Sequence, residues 1–116
     1  MFALAFALAL VVEQPCLVDG ERIRGELRFV ESEHPNGTKM RSAFAVLVEA
    51  RCLEDEMGRS EGKWIQLAPA REGAFDGIPP GSTIVVVADD YFTPHTAWHT
   101  GDIVALNVRV VGYELQ

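Results

Sequence analysis

Turn-forming residues recur along this chain, and the segments between them carry no convincing signal for a long helix. Pro15, Asp19-Gly20, Pro35-Asn36-Gly37, Pro69, the cluster Gly73, Gly77, Pro79, Pro80 and Gly81, then Pro94 and Gly101 punctuate it. The segments between are rich in β-branched and aromatic residues, the composition of strands. Ile23, Gly25, Leu27 and Phe29 alternate with Arg22, Arg24, Glu26 and Arg28, the period of a half-buried strand. Gly25 in its middle predicts a bulge or a sharp bend. Further strands are predicted at Arg41 to Cys52, Lys63 to Ala68, Ser82 to Ala88 and Asp102 to Tyr113. In the last of these, Val104, Leu106, Val108 and Val110 are predicted to face inward, and Asn107 and Arg109 outward.

About five short strands with short connections predict an all-β domain, a small five-stranded OB-like β-barrel, because closure removes exposed edges. A sandwich is the alternative. At most one short helical turn is predicted at a given place, around residues 74–78 or at Thr93 to Thr100. The 116 residues leave room for one domain, assigned to residues 15–116, behind an apolar segment at 1–14. A formal net charge of −7 and a pI near 4.8 argue against nucleic-acid binding, which draws its affinity from clustered basic residues. Arg22, Arg24, Arg28, Lys39 and Arg41 do cluster, but Glu21, Glu26, Glu31 and Glu33 interleave with them as on a solvated face.

The opening run MFALAFALALVV admits two readings. It is too short for a stable membrane span but suits the apolar region of a secretory signal, with Ala7-Leu8-Ala9 as a cleavage site. Equally, Phe2, Leu4, Phe6, Leu8 and Leu10 alternate with alanines as a buried strand would. The first reading places the protein in the periplasm or outside the cell, where Cys16 and Cys52 would pair. The second leaves it cytoplasmic, with two buried thiols.

The chemistry-bearing residues concentrate in one connection, Asp89 to Gly101. His95 and His99 stand four apart, a zinc-pair spacing if the segment is helical. In an extended segment the same residues are about 13 Å apart, too far for one metal. Thr93 as cap and Pro94 in the first turn favour the helical turn, with Asp89, Asp90, Asp102 or His34 as a third ligand. Tyr91 and Trp98 are predicted to be exposed, and Trp64 and Phe92 to be core. The predicted ligand-binding set is therefore Tyr91, His95, Trp98 and His99, rimmed by Asp89, Asp90 and Asp102. No residue fits a nucleophile or a paired-carboxylate acid and base, so none is assigned a catalytic role.

Cys16-Leu17 ahead of a Gly-containing strand, His34-Pro35-Asn36-Gly37, Phe44 to Val48 running on to Cys52, and Tyr91-Phe92 with His95-Thr96 and His99 before Ile103 to Leu106 resemble a family of small exported bacterial domains of unknown function. The resemblance covers nearly the whole chain after Pro15 and implies export, a Cys16–Cys52 bond and an OB-type barrel whose last two strands flank the His loop. The chain departs from it at Arg51 and at Thr100-Gly101-Asp102. The expected function is a non-enzymatic binding module for a glycan, a polar small molecule or a partner protein. The alternatives are a metal-binding protein or metal-dependent enzyme centred on His95 and His99, with zinc as its cofactor, and a structural subunit of a larger assembly.

Overall fold

The computed structural model describes residues 14–115. The apolar segment ahead of Gln14, with the choice between signal and strand, lies outside the described residues. Six strands follow: β1 (Arg22–Glu33), β2 (Lys39–Asp55), β3 (Gly58–Pro69), β4 (Thr83–Val87), β5 (Asp90–Phe92) and β6 (Ile103–Glu114). The described residues contain no helix.

β1 pairs antiparallel with β2 on one side and β4 on the other, β2 pairs with β3, and β4 pairs with β6. A parallel β3–β6 ladder then joins the two ends, and the five strands close into a barrel. β5 is the addition, a three-residue strand laid on β6 ahead of the His loop. The interior is filled by Leu27, Ile65, Ile84, Val86, Ile103 and Val108, all essentially inaccessible to solvent. Phe29 and Phe75 pack edge-to-face at one end, with ring centroids 6.4 Å apart.

At Gly25 the β1–β4 register runs on without a bulge, and the glycine serves a close approach to β2. Residues Arg22 to Glu26 pair with β4, whereas the β2 ladder begins only at Glu26, opposite Val46. A Cβ at Gly25 would stand 2.8 Å from the Val46 carbonyl oxygen, so β1 passes β2 at a distance only glycine allows.

Two hairpins extend further than their turn signals imply. β1 and β2 continue to Glu33 and Lys39 around the Asn36-Gly37 turn, where Gly37 takes a φ of 89°. The acidic run after Leu53 is mostly ladder: Glu54 stands opposite Arg59 and the two form an ion pair.

The inward pattern of β6 differs from the expected one. Ile103 and Ala105 face the core, and Leu106 is 39% exposed. Asn107 takes a φ of 55°, and the β3–β6 register skips there, with Ala68 opposite Leu106 and Pro69 opposite Val108. The bulge moves the side-chain alternation by one, so Val108 and Val110 point inward as predicted while Leu106 does not. Asparagine suits the left-handed position, and its amide donates to the Asp89 carboxylate at 3.2 Å.

Cys16 and Cys52 are disulfide-bonded. The bond fastens the chain before β1 to β2, and the Leu17 N–H donates to the Cys52 carbonyl at 2.8 Å. Arg51 reinforces the same seam through Glu21 at 2.8 Å and the Pro15 carbonyl at 2.9 Å. Closing a loop of 36 residues constrains the unfolded chain by about 4 kcal/mol on the chain-entropy account. Replacing both cysteines with alanine is expected to lower the unfolding free energy by about 2–4 kcal/mol in urea titration.

Candidate functional site

The connection from β5 to β6 folds back over the outer face of β3, and its course is set by side chains that satisfy its backbone. Asp55, at the end of β2, accepts from the Thr93 N–H at 2.8 Å and from the Thr93 hydroxyl at 3.0 Å. The Thr93 N–H is the main reason that the Asp55 carboxyl lies below its ordinary value of 3.8. Thr93 itself is buried.

The helical turn expected at Thr93 to Thr100 is absent. One tight turn forms instead: the His99 N–H donates to the Thr96 carbonyl at 3.0 Å, and the Thr96 hydroxyl accepts from the Trp98 N–H at 3.2 Å. A threonine that takes a main-chain N–H two residues on stabilises a turn against a helix. The His95 N–H is likewise taken by a side chain, the Nδ1 of His99, at 3.1 Å.

Gln66 of β3 anchors the second half of the loop. Its amide oxygen accepts from the Thr100 and Gly101 N–H groups at 2.6 and 3.1 Å, and its amide nitrogen donates to the Trp98 carbonyl at 2.9 Å. Gly101 makes that approach possible, because a Cβ there would lie 2.9 Å from the Gln66 backbone nitrogen and Cβ.

Held in this way, the loop collects aromatic rings contributed by three parts of the chain. His95 and His99 meet edge-to-face with centroids 4.8 Å apart, and both rest on Phe92 of β5, at 5.4 and 5.2 Å. Trp98 stacks on His34 of the β1–β2 hairpin, centroids 3.8 Å apart, and the indole remains 43% exposed. On the outer face of the neighbouring strands, Trp64 packs edge-to-face on Phe44 at 5.3 Å, with the Arg28 guanidinium 5.7 Å from the indole centre.

Three of the seven predicted site residues, His95, Trp98 and His99, thus come together. Tyr91, expected to be exposed, is 4% exposed: its hydroxyl donates to the Glu21 carbonyl at 2.6 Å and its N–H donates to Asp19 at 3.0 Å. Burial, and secondarily the Glu21 charge, pushes the phenol up to about 12, so Tyr91 is a protonated strut between β5 and the start of β1. Asp89 belongs to a surface pair with Arg109 at 3.5 Å, beside Asn107, and Asp90 is exposed at the start of β5. Asp102 accepts the Trp64 N–H at 3.0 Å, and a Cβ on Gly62 would overlap its carboxylate, which makes it a closing residue of the β3–β6 ladder.

His34, Gln66 and Asp55 complete the constellation, and all three come from strands or hairpins distant in sequence. His95 Nδ1 lies 3.0 Å from the Thr93 carbonyl and His99 Nδ1 is occupied by the His95 N–H. No group of three His, Cys, Asp or Glu side chains among the described residues is placed to hold a metal ion. A groove of about 570 Å³ lies elsewhere, where β1 parts from β2, lined by Ile23, Gly25, Val46 and Leu47 with Arg22 and Glu49.

No family model, curated protein or solved structure matches the chain. No helix among the described residues is long and apolar enough to cross a membrane.

Replacing Gln66 with alanine removes all three of its hydrogen bonds to the loop. The unfolding free energy is expected to fall by about 1–3 kcal/mol, and acrylamide to reach Trp98 more readily, in fluorescence quenching of the folded protein.

Proposed function

We propose that this protein is an exported, non-enzymatic binding module on an OB-type barrel, and that it holds a glycan against the exposed face of Trp98. The disulfide between Cys16 and Cys52 supports the exported location, since such bonds persist in oxidising compartments. The strand order, with its one parallel pair between β3 and β6, supports the OB-type reading.

The observation that carries the ligand reading is the half-exposed indole itself. A large aromatic left open to solvent would ordinarily be free to rotate, but here His34 stacks on one face and Gln66 grips the backbone beneath it. A ring held in place offers stacking area without an ordering cost at the moment of binding. The apolar faces of pyranose rings suit such a platform, and the imidazoles of His95 and His99 beside it supply donors and acceptors for hydroxyls. The acidic chain, at −7, disfavours a phosphate-bearing polymer on the same surface.

The test is titration with neutral soluble oligosaccharides at pH 7.5, followed by tryptophan fluorescence and calorimetry. Saturable binding that weakens by roughly 3- to 10-fold in Trp98→Ala, the loss of one aromatic stack, is the expected result. Binding of equal strength in Trp98→Ala and His34→Ala variants that keep their circular dichroism, or no binding by the unaltered protein, would overturn it.

A further inference from the structure

His34, which stacks on Trp98, and His99, its neighbour in the chain, are wired to the backbone in the same sense, and His95 is wired in the opposite one. A main-chain N–H can only donate. His99 Nδ1 accepts the His95 N–H at 3.1 Å, and His34 Nδ1 accepts the Asn36 N–H at 3.1 Å, so each of these nitrogens must carry a lone pair. His95 Nδ1 faces the Thr93 carbonyl at 3.0 Å and must carry a proton. Protonation of His95 leaves its hydrogen bond intact. Protonation of His34 or His99 places an N–H against an N–H and removes that bond, while the main-chain bonds of the two loops remain.

We propose that His34 and His99 form a proton-operated latch that clasps Trp98 between the two loops at neutral pH and releases it in acid. The proposal rests on the reading of Trp98 as the contact surface, and it makes ligand retention a function of compartment pH. The surroundings offer the His99 cation little compensation, since it faces Phe92 of β5 and the second imidazole, His95. His34 faces the indole, whose π face attracts a cation, so release on that side requires the loss of the Asn36 bond to outweigh that attraction. From β2, Asp55 is engaged by Thr93, and from β3 the neutral Gln66 faces the Trp98 carbonyl. Asp102, at the start of β6, is held by the Trp64 N–H, and Glu33 and Lys39, flanking the His34 hairpin, stand opposite each other. Burial first, and the neighbouring His95 second, hold the His99 imidazole below its ordinary 6.5. The sign follows: the unfolded chain binds the proton more readily, so the contribution of His99 to stability is complete above pH 6.5 and is lost as the pH falls below it, through the folded value.

The chain has two tryptophans, so Trp64→Phe leaves Trp98 as the single reporter. In that background, without ligand, acrylamide quenching is measured from pH 7.5 to 5, with circular dichroism to confirm the fold, and the imidazole tautomers are read by ¹⁵N NMR at pH 7.5. The latch predicts lone-pair Nδ1 nitrogens on His34 and His99, a protonated Nδ1 on His95, and a rise in quenching below pH 6.5. The protonated-to-neutral ratio should climb about tenfold per pH unit. The rise should survive His95→Gln and vanish when His34 and His99 are both replaced by glutamine. A flat wild-type profile, a rise that persists in the double variant, or a proton on Nδ1 of His99 at pH 7.5 would each overturn the latch. Because no ligand is present, the result is independent of the oligosaccharide titration: a working latch together with a failed titration refutes the ligand reading alone, and a successful titration together with a flat quenching profile refutes the latch alone.

Discussion

The parallel pairing of β3 with β6 turns an open sheet into a barrel, and the candidate site is a by-product of how that pairing begins. Parallel strands demand a long return path, which here runs from Pro69 through β4 and β5 before β6 starts at Ile103. The last part of that path arrives over the outer face of β3. Asp102 caps the first β3 N–H it meets, Gly62 and Gly101 make room, and Gln66 satisfies the incoming backbone. The Trp98 turn is therefore fixed by the same groups that close the barrel.

A second set of contacts operates at the other end of β5. The disulfide and Arg51 hold the chain before β1 against β2, the Val18 to Glu21 turn presents Asp19 and the Glu21 carbonyl, and Tyr91 binds both. With Tyr91 at one end and Thr93 tied to Asp55 at the other, a three-residue strand is held on both sides. Short as it is, β5 sets where Phe92 stands, and Phe92 supports both imidazoles.

Much of the barrel was legible because strand periodicity and turn chemistry are local. The five barrel strands follow from residues within a few positions of one another, and the cysteine pair follows from having two cysteines once an exported chain is assumed. The alternation in β6 misled at Leu106 because asparagine reads as an ordinary outward polar residue until its left-handed φ is known. The hairpin ladders exceed their predicted limits because cross-strand charge pairs such as Glu54 with Arg59 become visible only after register is set. The site was half legible. His95, Trp98 and His99 were singled out by type and spacing, but the spacing suggested a helix, and the hydroxyl of Thr96 competes successfully for the N–H that a helix would need. Tyr91 was misread for the same reason: polar neighbours in sequence say little about burial when the partner, Glu21, lies 70 residues away. Nothing near His34 in the sequence indicates that it meets Trp98.

The stack of His34 on Trp98 is the contact that makes two loops one site, and proton NMR reads it directly. An indole 3.8 Å from an imidazole shifts the ring protons of that imidazole upfield through its ring current. At pH 7.5 the His34 ring protons should therefore lie upfield in the native protein and move downfield in Trp98→Ala, while those of His95 and His99 change less. Identical His34 shifts in the two proteins would mean that the loops do not meet in solution, and the site described here would not exist.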